Sequence, residues 1–317
     1  MRVLCTGSIA WDYLMTFPGY FHEHILPDRL EKISVSFLVD GMTRQRGGIG
    51  PNIAYTLALL GGDAHLLSTV GEDFTDYRAW LEQHGVHTEH AKVIAGTFTA
   101  SFFCNTDRNN AQIASFFPGA MALAGVQSLH DVDPLPDLVV ISPSAPDAMS
   151  KFVKEARELG IRYLYDPSQQ LARITREELI EGVDSAWMLV VNDYEAGLIE
   201  KMTSLSEEQL AAKLPVLVIT RGAEGATIFA DGVRTDIVAV APKEIVDPTG
   251  VGDAFRGGLL RGVAAGWPWA LCGQVASLAA TYCLEKNGPQ NHLYSQAEFL
   301  TRFRQHFDDG GLLSELF

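Results

Sequence analysis

The chain has 317 residues, 47% hydrophobic and 20% charged, which supplies the apolar material for one large folded domain and excludes a chain dominated by disorder. Its 39 acidic residues outnumber 24 basic ones for a net charge of −15, with no local Lys/Arg run, which excludes a nucleic-acid backbone as a main partner. Four cysteines, Cys5, Cys104, Cys272 and Cys283, are scattered without a C-x-x-C pair, as in a reducing compartment.

Residues 3–9 form a short apolar run that meets Asp12 before any small-residue cleavage pattern, so they read as a first buried strand and not as a leader. Residues 12–45 mix aromatics, prolines and alternating runs, and the alternation over 33–39 predicts strand there, with one face covered. A helix is expected over about 52–60, ended by Gly61-Gly62, then a buried strand at 65–70 and a helix at 77–83 that ends at Gly85. Residues 97–104 and 112–117 return to β character around a polar break, Asp107-Arg108-Asn109-Asn110, which predicts a hairpin.

From residue 137 the pattern changes. Short apolar runs at 138–141, 163–165, 188–191 and 216–220 alternate with helical segments such as 148–159, the mark of βαβ units and a parallel sheet covered on both faces. A late hairpin is expected at 227–230 and 233–238 around Asp231-Gly232, followed by helices at 251–265, 269–285 and 295–307. The fold class is therefore α/β: a doubly wound, mostly parallel sheet with helices on both faces, plus a small β-sheet built from insertions at about 12–45 and 94–118. No stretch approaches the ~20 apolar residues of a membrane helix, and the cytoplasm is the expected setting.

Asp247-Pro248-Thr249-Gly250-Val251-Gly252-Asp253 joins a strand to a helix through a glycine-rich turn, whose backbone N–H groups make an anion site. A carboxylate there repels phosphate unless it accepts a proton from an attacking hydroxyl, which makes Asp253 a candidate general base; a plain helix N-cap is the alternative. Gly47-Gly48-Ile49-Gly50-Pro51-Asn52 lets a ligand approach the backbone and offers an amide to a hydroxyl, or it is simply a tight strand-to-helix turn. Neither segment has the third glycine of G-x-G-x-x-G or the Lys-Ser/Thr of a P-loop, so a dinucleotide dehydrogenase is disfavoured. His84, His87 and His90 recur every third residue but straddle Gly85, so they should not share one helical face, and no metal site is expected from them or from His22 and His24.

Gly47-Gly48-x-Gly50-x-Asn52-x-Ala54 with Gly61 and Gly71, Asn192-x-x-Glu195, Thr220-x-Gly222-x-x-Gly225 and Asp247 to Leu260 stand in the order found in the ribokinase-like (PfkB) kinases, and the chain resembles that family over essentially its whole length. Val251 departs from the small residue usual there. The resemblance implies an ATP- and Mg2+-dependent kinase. In it Asp253 is the base and the backbone of Gly250, Val251 and Gly252 stabilises the transferring phosphoryl group. Asn192 and Glu195 order Mg2+, with Glu195 the metal residue, and Thr220, Gly222 and Gly225 line the ATP site. Asp12, Gly48 and Asn52 hold sugar hydroxyls. Some members also use K+ near the position of Asp247, which the sequence leaves open.

Residues 106–121 are similar to the branch that phosphorylates nucleosides, with Gln112 reading the edge of a base between aromatic walls. The implied reaction is phosphorylation of a nucleoside 5′-hydroxyl. A ribokinase- or fructokinase-type sugar kinase is the alternative, and a non-catalytic ligand-binding protein on the same scaffold is a third. The implied partner is a small-molecule nucleoside or sugar, with no nucleic acid or membrane, in a monomer or a homodimer formed through the lid.

Overall fold

A computed structural model describes residues 1–315 of the chain. The strands in chain order are β1 (Arg2–Thr6), β2 (Ala10–Thr16), β3 (Gly41–Gly47), β4 (Asp63–Val70), β5 (Val86–Val93), β6 (Ala100–Thr106) and β7 (Gln112–Phe117). They continue with β8 (Leu138–Ile141), β9 (Arg162–Tyr165), β10 (Met188–Asn192), β11 (Val216–Thr220), β12 (Ala226–Ala230) and β13 (Val233–Ile237).

Nine of them form one sheet in the order β13-β12-β11-β10-β9-β8-β1-β4-β5, parallel from β11 to β5 and antiparallel through β12 and β13. The parallel strands read as unbroken apolar runs because both faces are covered: every residue of β8, Leu-Val-Val-Ile, is buried. Alternate residues feed two separate cores. Val3, Cys5, Val140 and Val190 pack against helices Ile49–Leu59, Val251–Ala265 and Trp269–Leu284. Leu4, Val139, Ile141 and Leu189 pack against Pro146–Glu158, Arg176–Asp184 and Asp193–Thr203 on the other face. Each fully buried Leu or Ile contributes about 1.5–3 kcal/mol.

From β1 the chain builds outward through β4 and β5, then returns to β8 on the opposite side of β1. The carboxyl ends of β1 and β8 therefore flank the point where strand order reverses, the crevice that open α/β sheets use for ligands.

The second sheet has the order β3-β2-β6-β7, with β2–β6 parallel and the other pairs antiparallel. The strand expected over 33–39 is absent: that segment is irregular, with Ile33, Val35 and Leu38 exposed, and strand forms instead on either side of it, at 10–16 and 41–47. Alternation alone supplies no ladder partner. Phe37 packs edge-on against Phe17 and Phe21, at 5.0 and 4.9 Å between ring centroids, and this anchors the segment as a loop. The 231–232 turn forms as expected, with φ of 53° and 74° at Asp231 and Gly232. No helix among the described residues is long and apolar enough to cross a membrane.

Candidate active site

Two helix N-termini converge at the switch point. One helix, Ile49–Leu59, is capped by Gly48; the other, Val251–Ala265, by Gly250 at φ 77°. The N–H groups of a first helical turn have no intrahelical partner, so each end offers donors and partial positive charge to an anion. A side chain at Gly250 would meet Pro289 at 2.3 Å, so the turn tolerates glycine alone. At Gly257 a Cβ would lie 2.6 Å from Thr56 Cβ; its absence lets the two helices pack closely enough for their first turns to touch.

That contact joins residues 201 positions apart: Asn52 Nδ2 donates to Asp253 Oδ2 at 2.8 Å. Asn52 is oriented from behind, because Gln290 Nε2 donates to its Oδ1 at 2.7 Å and also to the Tyr77 hydroxyl, which donates to the Gly47 carbonyl at 2.9 Å. Burial pushes the Asp253 carboxyl up to about 6; Arg256 and the Asn52 hydrogen bond oppose the rise, and Glu195 adds to it. Burial, helped by the charge of Asp247, likewise pushes Asp12 up to about 6.

Arg256, one turn beyond Asp253, is buried and donates from Nη2 to Asp166 Oδ1 at 2.7 Å. Asp166, Asp253 and Glu195 all act on this one guanidinium, which leaves an excess of negative charge. Burial pushes Asp166 up to about 7, and its Oδ2 is buried without a hydrogen-bond partner. An orphaned carboxylate oxygen in a surplus of carboxylates suits a hydrated hard cation.

Asp12, Gly48, Asn52, Gly250 and Asp253 line one cavity of about 580 Å³. Ser8 and Pro143, just past β1 and β8, form its floor at the switch point, and Phe102, Phe116 and Met121 wall it from the small-sheet side. Gly252 lies in the adjoining helical turn, and Val251 packs its side chain against the core, leaving only its backbone toward the turn. Asn192, Glu195, Thr220, Gly222 and Gly225 do not line this cavity. They follow the neighbouring strand ends, with Asn192 beside Thr220 in the β10–β11 register. Asn192 and Glu195 form a reciprocal capping box at 2.7 and 2.9 Å, so one Glu195 oxygen is committed to the helix start.

Gln112 is the residue that does not fit. It opens β7 opposite Thr106, is exposed, and lies outside the cavity lining. It shares a face with Phe116 but stands four residues away, roughly 13 Å along an extended strand. Polar side chains that do line the cavity include Gln169 and Arg173 on the body. Sequence reasoning missed both of these, with Asp166 and Gln290; each is a lone polar residue in no motif, and only tertiary packing brings it to the site. A smaller cavity of about 200 Å³, under Trp187, Trp267 and Trp269, holds none of these groups.

Residues 18–296 match the model of the pfkB family of carbohydrate kinases. The chain belongs to this family. As a pfkB-family kinase it is a phosphotransferase acting on a hydroxyl group. It is similar, at 30% identity over 306 residues and 95% of each chain, to a nucleoside kinase of Methanothermobacter thermautotrophicus. Among solved structures it resembles the nucleoside kinase of Burkholderia thailandensis in complex with inosine, with a TM-score of 0.85, 38% identity, and 96% and 98% of the two chains covered. It also resembles that enzyme in complex with ADP-inosine, with a TM-score of 0.84, 39% identity and 96% of both chains covered. The pfkB assignment accounts for the mostly parallel sheet with its small flanking sheet, whereas a G-x-G-x-x-G reader would need a glycine where Phe255 stands.

Proposed function

We propose that the protein transfers the γ-phosphoryl group of ATP to the 5′-hydroxyl of a nucleoside. The observation that carries this reading is an aromatic wall, Phe102 beside Phe116, in the same cavity of about 580 Å³ as Asp253, a flat apolar surface that suits a base. The similarity to the Burkholderia enzyme, whose structures hold inosine and ADP-inosine, supports it.

In this reading Asp12, Asn52 and the Gly48 turn hold ribose hydroxyls, and Asp253 accepts the 5′-hydroxyl proton as the new O–P bond forms and the bond to ADP breaks. Asn52 positions Asp253, since its amide is fixed by Gln290 and Tyr77. The 250–252 backbone receives the charge on the transferring group. Thr220, Gly222 and Gly225, along the neighbouring strand ends, would face the nucleotide. Bound Mg2+ neutralises phosphate charge, and Glu195 and Asp166 would hold it, through water where direct contact fails. Asp247 already accepts the Thr249 and Gly288 N–H groups, both at 2.9 Å, so a K+ nearby would share a carboxylate that ties down the loop. The four-stranded sheet acts as a lid that closes over the substrate.

A phosphorylation screen of nucleosides and free sugars with Mg2+ and ATP tests the proposal. The kcat/KM of the best nucleoside should exceed that of ribose or fructose by at least about a hundredfold, or roughly 2.7 kcal/mol, because contacts to the base hold the reacting hydroxyl in line. A free pentose or hexose as the better substrate would make the enzyme a sugar kinase, and no turnover of any acceptor would leave a binding protein.

A further inference from the structure

At the opposite edge of the large sheet, the amino ends of β4 and β5 carry the patterns Asp63-x-His65 and His87-x-Glu89. The period of two places each pair on one face of its strand, and the parallel register sets His65 directly beside His87. The two imidazoles stack with centroids 4.3 Å apart and planes inclined by 13°. His65 Nε2 lies 2.7 Å and His87 Nε2 3.7 Å from Asp63 Oδ1, and one ligand atom from each residue falls within 4.8 Å of the others.

We propose that His65 Nε2, His87 Nε2 and an Asp63 carboxylate oxygen form a site for a transition-metal dication of the zinc class, with water in the fourth position. Tetrahedral bonds of about 2.0–2.2 Å place ligand atoms roughly 3.4 Å apart, so Asp63 needs a small rotation, while the exposed His87 ring must turn out of its stack on His65 before both Nε2 lone pairs converge on one ion. His65 is buried and held from behind: its Nδ1 lies 2.7 Å from Glu89 Oε1. A proton on Nδ1 donated to Glu89 leaves the Nε2 lone pair free, the carboxylate–histidine arrangement that orients a ligating imidazole. Arg2 Nη2, 3.3 Å from both Glu89 Oε1 and His65 Nδ1, offsets only one of the two carboxylates, so the cluster keeps a net negative charge for a cation. His87, with 56% of its side chain exposed, leaves the outer coordination position open to water. Two nitrogen donors select zinc-like ions over Mg2+, which demands an oxygen shell. The competing arrangement is a protonated His65 clasped between Asp63 and Glu89, which binds no metal.

The whole protein, in excess Mg2+ to fill oxygen sites, would be titrated with Zn2+ against a chromogenic chelator. One equivalent should bind, more weakly by at least about tenfold in His87→Ala and in Asp63→Asn, and by about tenfold in Glu89→Gln through loss of the orienting bond. His87 is exposed, so a metal-free melting temperature equal to that of wild type establishes that this variant folds. No saturable Zn2+ binding by wild type, or affinity unchanged in folded His87→Ala, would overturn the site.

Discussion

The nine-stranded sheet and the four-stranded sheet meet at one cavity but are built on opposite terms. In the large sheet, β8 is buried at every position; in the small one, β7 is exposed at every position. The body contributes groups held by packing: Asn52 and Asp253 on close-packed helices, with Gln290 and Tyr77 behind them. The small sheet contributes Asp12, Phe102 and Phe116, a single row across β2, β6 and β7 in which each residue is paired with the next. In the proposed reading, chemistry that needs sub-ångström positioning would sit on the close-packed part, and recognition that varies with the acceptor would sit on the part with little core to lose on moving.

The sharpest way to break that division is to remove the base from the body. Asp253→Asn should lower kcat by about 10²–10⁴ and leave nucleotide affinity nearly intact. Its carboxyl stands near 6 and must be ionised to accept a proton, so wild-type kcat/KM should fall as pH drops below about 6, and the same acid limb should persist in Asp12→Asn. Burial raises the folded value above the unfolded one, so the ionised form costs stability at pH 7, a cost that fades as pH falls through about 6. Asp253→Asn should therefore melt no lower than wild type at pH 7. A lower melting temperature together with more than half of wild-type turnover would make Asp253 a structural cap.

The next test acts on the other sheet. Phe116 is 50% exposed, so Phe116→Ala should leave the fold intact. Base–aromatic stacking is worth about 1–3 kcal/mol, and its loss should lower kcat/KM for the best nucleoside roughly tenfold while the poor rate with free ribose stays put. Equal losses on nucleoside and ribose would place Phe116 in lid packing and not against a base.

The two regions also differed in how far they could be read from residues alone. The parallel strands at 138–141, 188–191 and 216–220 were legible because a strand buried on both faces must be apolar throughout, and helix 251–265 because Gly250 and Gly266 bracket it. The edge strand β5 was not: Val86-His87-Thr88-Glu89-His90 carries too little apolar content to signal strand, and its ladder with β4 alone defines it. The 33–39 segment failed the other way, with alternation but no neighbour to pair with. In the site, the two glycine turns announced themselves locally, whereas Asp166 and Gln290 are placed by contacts to Arg256 and Asn52 that span 90 and 238 residues. The His84, His87 and His90 spacing led away from the cluster that does form, because His84 stacks on Trp80 while His87 meets Asp63 and His65 across the sheet.

The smallest expected effect separates strand pattern from strand position. Gln112 has the right chemistry to read a base and points to the same side of the small sheet as Phe116. Its distance is wrong. Four residues of extended strand put it roughly 13 Å from the aromatic wall, beyond the reach of a Gln side chain, and a lid that closes as a rigid sheet preserves that spacing. Being exposed at the start of β7, it also has little packing to lose. Gln112→Ala should therefore change kcat/KM for nucleosides by no more than about twofold, the scatter of an ordinary surface substitution. The same change at Gln169, which lines the cavity, should cost more and should depend on which base is offered. A tenfold loss in Gln112→Ala with Gln169→Ala unaffected would mean that the base lies along β7 toward the 107–110 turn. The wall formed by Phe102 and Phe116 would then face the sugar, and the small sheet would have to close by bending its strands and not by hinging as a unit.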